Sequence, residues 1–252
     1  MKKYQVIALD LDGTLLTSDK TVSPRTLSAL LRCMENGMQP VIATGRARTS
    51  IPDLLPAEFP VIPWISSHGA ETYLDSKKLS DSLISVSLAH EIVQITESLA
   101  PNMRVSTVMD GVWYATLPIG VPHVIADLRT AIDRPVPKMV CDLSQAPDVD
   151  ALRSTLPDGC RLIIAAHLGE IVAAGVSKVS ALRNLLEEWG MTLHDAVAFG
   201  DHLPDLEMIA ACGLGVAMGN AVPEVKEAAD LVTSSCDEDG IAEVLERLVE
   251  GK

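Results

Sequence analysis

The sequence predicts a doubly wound parallel α/β sheet that is interrupted by an inserted α+β module. Toward both ends of the chain, short apolar runs alternate with amphipathic helical patterns, an order typical of a parallel sheet covered by helices. In the middle this alternation changes, and Asp110-Gly111 between two β-rich runs indicates a hairpin. With 252 residues, 48% of them hydrophobic, the chain is long enough for one large domain or two smaller ones.

The segment before the module is predicted to hold one helix, Pro24–Asn36. Ser23 can cap its first turn, Pro24 suits the first helical position, and Gly37 follows its end. Three strands are expected here: Tyr4–Leu9, Pro40–Ala43 and Val61–Ser66.

The module is expected to mix helices with strands. Its predicted helices are Leu88–Leu99, Val121–Ile132 and Pro147–Leu156. Its predicted strands are Arg104–Val108, Val112–Thr116, Pro137–Cys141, Arg161–Ala165 and Glu170–Ala174.

After residue 176 the α/β alternation returns. The predicted helices are Ser177–Trp189, Pro204–Cys212, Pro223–Ala229 and Gly240–Val249. The predicted strands are Ala196–Phe199, Leu214–Ala217 and Leu231–Thr233. We therefore expect a core domain formed by residues 1–80 and 177–252, and an inserted domain formed by residues 81–176.

Composition excludes several classes of function. The net charge of −14 without a Lys/Arg cluster argues against nucleic acid as a partner. The sequence shows no signal peptide and no apolar run near the ~20 residues of a membrane span, so we expect a cytoplasmic protein that does not enter a membrane. Five cysteines without a CxxC pair are expected as buried thiols of a reducing compartment: Cys33, Cys141, Cys160, Cys212 and Cys236.

Carboxylates follow two of the predicted strands. Asp10 and Asp12 end the first strand and precede Gly13, and Asp201 and Asp205 follow the strand Ala196–Phe199. Acids at the carboxyl end of a strand lie where open α/β sheets bind ligands, and close acids repel unless a cation or a proton lies between them. These four residues therefore predict a site for a hard cation such as Mg2+, although an Asp-x-Asp pair alone fits a turn or a helix cap equally well.

Two further groups predict a phosphate site on the same edge. The Thr44 hydroxyl and the backbone N–H groups that follow, beginning with Gly45, can bind an anion; alternatively, Thr44 caps a helix that begins near Ala47. Lys178 opens a predicted helix, where a cation is unfavourable unless an anion compensates; alternatively, it is an exposed lysine. His202 is interpreted as a solvated loop residue.

Together these residues resemble the haloacid dehalogenase (HAD) superfamily of phosphotransferases, and most closely its Cof-type phosphatases with a type-IIB cap. The resemblance covers nearly the whole chain and implies a HAD-like, Rossmannoid core with an α+β cap. The matching motifs are Asp10-Leu11-Asp12-Gly13-Thr14-Leu15, Thr44-Gly45-Arg46, Gly175-Val176-Ser177-Lys178, and Gly200-Asp201 with Asp205. Two downstream segments are also similar: Gly215–Ala221 and Asp237–Gly240.

The resemblance implies a role for each residue. Asp10 would be the nucleophile and a Mg2+ ligand, and Asp12 the general acid/base that also binds Mg2+ through its backbone carbonyl. Asp201 would bind Mg2+, and Asp205 would bind or support it. The phosphoryl oxygens would be held by Thr44, the Gly45 N–H and Lys178.

The chain departs from the family pattern at two positions. Pro204 stands where the family usually has Asn, which removes one amide contact or leaves it to another residue such as His202. His68 stands where the family usually has Asn, and its imidazole donates with a different reach. Arg46, Arg104 and His123 are candidates to contact a polar substrate, although a surface position without such a contact is the favoured interpretation of each.

We therefore expect a Mg2+-dependent phosphatase that hydrolyses small phosphate monoesters, such as sugar phosphates, through an aspartyl-phosphate intermediate. Its partner would be a small phosphorylated metabolite. Two alternatives remain open at this point: a phosphometabolite-binding protein with little turnover, and a phosphomutase that passes the phosphoryl group to a sugar hydroxyl.

Overall fold

A computed structural model describes residues 4–145 and 148–251, which divide into two compact units. One unit holds the described residues up to Leu79 and those from Ser177 onward, and the other is Ser80–Val176. Each unit buries its own hydrophobic core. Among the described residues, no helix is long and apolar enough to cross a membrane.

The strands and helices are numbered separately in chain order. The strands are β1 (Val6–Leu9), β2 (Gln39–Ala43), β3 (Pro63–Ser66), β4 (Glu71–Leu74), β5 (Lys77–Asp81), β6 (Val105–Met109), β7 (Val112–Ala115), β8 (His123–Ile125), β9 (Met139–Asp142), β10 (Cys160–Ala165), β11 (Leu168–Ala173), β12 (Ala196–Gly200), β13 (Leu214–Ala217) and β14 (Leu231–Val232). The helices are α1 (Pro24–Glu35), α2 (Val86–Leu99), α3 (Leu128–Ala131), α4 (Val149–Thr155), α5 (Lys178–Glu188), α6 (Leu206–Ala211), α7 (Pro223–Ala228) and α8 (Gly240–Glu250).

The first unit is built on an eight-stranded sheet in the order β14-β13-β12-β1-β2-β3-β4-β5. The strands from β14 to β3 pair in parallel, whereas β4 runs antiparallel to β3. The central strand β1 is fully buried along its length, because a parallel sheet with helices on both faces hides both sides of its strands. The predicted α/β fold class is confirmed, and the β4–β5 extension is an addition to it.

Helix α1 shows how local sequence sets the element bounds. The Ser23 hydroxyl accepts the N–H of Thr26 at 3.0 Å, and Pro24 occupies the first helical position. The chain leaves the helix at Asn36 and Gly37, where Gly37 has a φ of +81°. These cap signals agree with the prediction for this helix.

The second unit has a six-stranded sheet in the order β10-β11-β9-β6-β7-β8. Pairing is antiparallel from β10 to β7, and β8 runs parallel to β7. A cluster of apolar side chains from this sheet and from α2 and α3 forms the core of the unit. The unit is therefore the α+β module that the sequence indicates.

One predicted element is wrong. The helix expected over Val121–Ile132 is instead the strand β8 followed by the short helix α3. Pro122 disfavours a helical conformation at the residue before it, and the β-branched Val124 and Ile125 pair with β7. A helix begins only after Asp127, whose carboxylate accepts the N–H of Arg129 at 3.0 Å.

The remaining predicted helices and strands agree with the observed bounds to within two residues. The expected start of one helix, Pro147, lies outside the described residues, and α4 is observed from Val149. Strands β4 and β5 were not predicted. They form a short hairpin whose turn lies at Asp75, where φ is +53°, and this turn lacks the Asn-Gly or Asp-Gly pair that would indicate a hairpin.

Candidate active site

Four of the predicted site residues lie at one edge of the parallel sheet. Asp10 follows β1 and Asp201 follows β12, and these neighbouring strands run in the same direction. Lys178 is the first residue of α5, and Asp205 lies directly before α6. This is the edge at which open α/β sheets bind ligands.

A capping box explains why α5 begins at Lys178. The N–H of Ser180 donates to the Ser177 hydroxyl at 3.1 Å, and the N–H of Ser177 donates to the Ser180 hydroxyl at 2.9 Å. These two bonds satisfy backbone donors that a helix start leaves without partners. The cap therefore fixes the backbone from which the Lys178 side chain extends.

Lys178 joins two acids that are distant in the chain. Its Nζ donates to Oδ1 of Asp10 at 2.5 Å and to Oδ1 of Asp205 at 2.6 Å. All three residues are buried, with exposed fractions of 4%, 6% and 1% for Lys178, Asp10 and Asp205. One ammonium group thus serves two carboxylates in a site from which water is largely excluded.

Burial and mutual repulsion raise the pKa values of two acids in this cluster. Burial and the neighbouring Asp205 raise the pKa of Asp10 to about 7, against the lowering effect of Lys178. Burial and Asp205 also raise the pKa of Asp201 to about 6. Burial lowers the pKa of Lys178, but the two acids outweigh that effect and raise it overall. An additional cation would stabilise the ionised form of these acids.

The acids are arranged so that they could hold a metal ion. One oxygen from each of Asp10, Asp201 and Asp205 lies within 4.8 Å of the others. An all-carboxylate donor set suits a hard divalent cation. The donor chemistry therefore fits the metal that the sequence motifs imply.

Asp201 and Asp205 differ in how firmly they are held. Oδ2 of Asp205 accepts the N–H groups of Asp201 at 3.2 Å and His202 at 3.1 Å, while its Oδ1 contacts Lys178. Within the described part of the chain, the hydrogen bonds to the Asp201 carboxylate from side chains are long, from Thr14 at 3.5 Å and from Asn220 at 3.4 Å. Asp205 therefore anchors the loop, whereas the Asp201 carboxylate oxygens are available as ligands for a cation.

Asn220 is a site residue that the sequence reasoning did not single out. Its Nδ2 donates to the carbonyl of Gly13 at 2.8 Å, and its Oδ1 accepts the N–H of Cys236 at 2.9 Å. It lies just beyond β13, so the strand-end rule that identified the acids would also have found it. Gly13 itself has a φ of +77°, and a Cβ there would collide with the Asp201 carboxylate.

The Asp12 side chain lies outside the lysine-centred cluster. Arg46 donates to both of its oxygens, from Nε at 2.6 Å and from a terminal nitrogen at 2.8 Å, and Lys20 donates at 2.9 Å. Burial raises the pKa of Asp12, but hydrogen bonds from Arg46 and Lys20 outweigh this and hold it at about 2. The carboxylate is therefore ionised and engaged by two cations.

The Thr44-Gly45-Arg46 turn is buried beside the sheet. Thr44 is 1% exposed, and its hydroxyl accepts the N–H of Arg46 at 3.1 Å. The helix expected near Ala47 does not form; two short 3-10 turns follow, Arg48–Ser50 and Pro52–Leu54. Thr44 thus shapes a tight turn and caps no α-helix.

The other candidate residues occupy different surroundings. His202 is exposed and contributes its backbone N–H to Asp205. Arg104 and His123 belong to the second unit, where Arg104 lies 3.4 Å from Asp142 and His123 Nδ1 lies 2.7 Å from the Val121 carbonyl oxygen. Each of these side chains already has a local neighbour in its own unit.

Comparison with known proteins gives a consistent result. Residues 7–245 match the model of the haloacid dehalogenase-like hydrolases. A 5-amino-6-(5-phospho-D-ribitylamino)uracil phosphatase of Bacillus subtilis is 31% identical, over 96% of this chain and 97% of its own length. A pyridoxal phosphate phosphatase of Escherichia coli is also 31% identical, over 96% of this chain and 97% of its own.

A solved structure shows the same fold. A HAD subclass IIB sugar phosphatase superposes with a TM-score of 0.81 at 22% identity, covering 96% of this chain and 98% of its own. The resemblance indicated by the sequence motifs is thereby confirmed. The chain belongs to the haloacid dehalogenase-like hydrolases and is a phosphatase of that family.

Proposed function

We propose that the protein is a Mg2+-dependent phosphatase that hydrolyses small phosphate monoesters through an aspartyl-phosphate on Asp10. The observation that carries this proposal is the buried cluster of Asp10, Lys178, Asp201 and Asp205. A carboxylate is known as a nucleophile toward phosphorus, and phosphoryl transfer depends on positioning and on neutralising the equatorial oxygens. The cluster offers a nucleophile and a cation side by side.

In the proposed mechanism, Asp10 attacks phosphorus and becomes phosphorylated. Asp12 gives a proton to the leaving oxygen and then takes one from the water that hydrolyses the aspartyl-phosphate. Thr44, the Gly45 N–H and Lys178 hold the phosphoryl oxygens during both steps. Asp12 is ionised while Arg46 and Lys20 contact it, so it must lose these contacts and take up a proton from solvent before it can protonate the leaving oxygen.

The proposed metal site consists of Asp10, Asp201, Asp205 and the backbone carbonyl of Asp12. When bound, Mg2+ would supply charge neutralisation at the transferring phosphoryl group. Asp201 would be the most available side-chain ligand, and Asp205 would orient both Lys178 and the loop that carries Asp201.

The proposed substrates are small phosphorylated metabolites such as sugar phosphates. Two relatives, each 31% identical, act on different compounds, a phosphoribitylaminouracil and pyridoxal phosphate, so the shared chemistry is the phosphate monoester. We propose that residues 1–80 and 177–252 form the catalytic core. Residues 81–176 then form the type-IIB cap that selects the rest of the substrate.

We also propose a cytoplasmic location. All five cysteines are free thiols, which is usual for proteins of a reducing compartment. Two buried examples are Cys33 and Cys141.

Phosphate release from a panel of phosphomonoesters tests the proposal. We expect release with Mg2+, its loss with EDTA and its loss in Asp10→Asn. Asp53→Asn, the same substitution at an exposed residue, is the matched control and should keep the wild-type rate. Release that is unaffected by EDTA would contradict the metal assignment. With a substrate whose phosphoryl group is labelled, transfer of the label to a sugar hydroxyl would identify a phosphomutase.

A further inference from the structure

A short segment after β3 has an unusual backbone. Three successive residues have positive φ: Ser67 at +49°, His68 at +59° and Gly69 at +111°. Elsewhere in the described chain, positive φ values occur singly or, at Asp110 and Gly111, in one pair. Left-handed conformations are unfavourable for residues with a Cβ and persist where the surrounding structure imposes them, often at functional sites.

This segment is bonded to the turn that we propose binds phosphate. The N–H of Ser67 donates to the carbonyl of Arg46 at 2.8 Å, and the N–H of His68 donates to the carbonyl of Thr44 at 3.0 Å. Both bonds go to the residues that flank Gly45. The left-handed conformation thus directs two successive N–H groups at one turn.

The same segment also contacts the start of α5. A Cβ placed on Gly69 would collide with the carbonyl of Ser177, the residue directly before Lys178. The backbones of Gly69 and Ser177 therefore meet without an intervening side chain. Ser67–Gly69 connects the Thr44-Gly45 turn with the helix start that carries the phosphate-binding lysine.

The His68 ring fills the space over Gly45. A Cβ on Gly45 would lie 2.5 Å from Cε1 and 2.7 Å from Nε2 of His68, and the three nearest atoms all belong to that ring. His68 is 4% exposed. The φ of Gly45 is not positive, so its backbone conformation would tolerate a side chain. The His68 ring is what would collide with a side chain at this position.

We propose that His68 is a positioning residue for phosphoryl binding. Its imidazole packs on the Gly45 backbone and, together with the left-handed segment, fixes the Gly45 N–H and the Thr44 hydroxyl relative to Lys178. This inference rests on the proposed function, because it assumes that these three groups hold the phosphoryl oxygens. The role differs from contact with substrate, since His68 acts through Gly45.

A double-mutant cycle tests this role directly. The variants are Gly45→Ala, His68→Gly and the two combined, measured for kcat, KM and inhibition by inorganic phosphate. We expect Gly45→Ala alone to lower kcat/KM by about 10²-fold, since displacing a positioned group by ~1 Å has that effect. In the His68→Gly background, where the ring is absent, the same change should cost less than about 10-fold.

His68→Asn tests the contribution of the imidazole ring apart from that of the backbone. Asn tolerates the left-handed region, so the variant removes the ring and keeps the backbone conformation. We expect it to weaken inhibition by inorganic phosphate about tenfold while the thermal unfolding temperature changes little. Asp75→Gly is the control, since it relieves a positive φ in the β4–β5 turn outside the site and should leave the kinetics unchanged. A purely structural role for His68 would lower the unfolding temperature without selectively weakening phosphate binding.

The outcomes distinguish this inference from the proposed function. Additive effects in the cycle, with an active wild-type enzyme, would overturn the role of His68 and leave the phosphatase proposal intact. Absence of phosphate release by the wild type on every substrate would overturn the proposed function. Calorimetry with inorganic phosphate on the same four proteins would then decide the inference, with non-additive binding supporting it and additive binding overturning it.

Discussion

Nζ of Lys178 lies 2.5 Å from Oδ1 of Asp10, although 168 positions separate them in the chain. The parallel sheet brings β1 beside β12, and α5 presents the lysine to the carboxyl edge of the same sheet. The contact therefore links the fold to the proposed chemistry, because the lysine that binds the buried acid is also the one that we propose binds the phosphoryl group.

Removing that cation should affect both activity and stability. In Lys178→Met, the buried Asp10 and Asp205 lose their shared partner, and breaking a buried ion pair costs about 3–5 kcal/mol. The loss of unfolding free energy should be larger at pH 8 than at pH 5, because protonation relieves the repulsion at low pH. Urea unfolding measures this effect, and phosphate release should fall by at least ~10²-fold.

The control for this variant is Lys77→Met, at an exposed lysine. It should leave stability and rate within error of the wild type. An equal loss of stability at pH 5 and pH 8 would contradict the view that ionised acids are the cause.

Asp10→Asn should lower activity without lowering stability, in contrast to Lys178→Met, which should lower both. Burial and repulsion from Asp205 raise the pKa of Asp10, and the substitution removes this buried acid, so at pH 8 without metal the variant should be at least as stable as the wild type. Phosphate release should fall on the order of 10⁴-fold or more, as for loss of a nucleophile. Thermal unfolding and an activity assay on the same preparation check both expectations, and a marked drop in unfolding temperature would argue against repulsion in the site.

Magnesium should stabilise the protein more at high pH. The raised pKa values of Asp10, about 7, and Asp201, about 6, mean that protonation of these acids favours the fold. That contribution is complete below about pH 4 and disappears as the pH rises through 6 and 7. Mg2+ binds the ionised form, so the rise in unfolding temperature on adding Mg2+ should grow from pH 5 to pH 8. A shift that is the same at both pH values would contradict this linkage.

Asn220 should support metal binding without contacting substrate. Its amide holds the carbonyl of Gly13 and approaches Asp201, and loss of such an outer contact typically lowers metal affinity about 10–100-fold. In Asn220→Ala, the Mg2+ concentration for half-maximal activity should rise by that factor, with kcat at saturating Mg2+ nearly unchanged. Asn184→Ala, at an exposed position on α5, is the control; an unaltered Mg2+ requirement in Asn220→Ala would exclude the supporting role.

Sequence reasoning predicted that the acids lie together because they follow β1 and β12, whereas Lys178 follows β11 of the other sheet and was singled out as a cation at a helix start. The rule that parallel strands share a carboxyl edge needs only strand positions, and β1 and β12 have clear apolar runs. It could not reveal that Arg46 and Lys20 both hold Asp12, since those contacts depend on loop geometry. Neither could it show the His68 ring over Gly45, because the left-handed conformation of that segment is imposed by its neighbours.

The second unit was harder to predict. Its helices α2 and α4 follow from amphipathic patterns, but Val121–Ile132 has spacing that suits a helix as well as a strand. Pairing of Val124 and Ile125 with β7 decides the outcome, and such long-range pairing is invisible in a local pattern.

The central claim is that Asp10 becomes phosphorylated, and chemical trapping of that intermediate tests it most directly. The enzyme is mixed with Mg2+ and a phosphomonoester that it hydrolyses, and the reaction is quenched with borohydride. Borohydride reduces an acyl phosphate to the alcohol, and mass spectrometry of the peptides locates the reduced residue. The account predicts homoserine at position 10 in the wild type and none without substrate. Trapping at a different residue, or full phosphate release by Asp10→Asn, would contradict it.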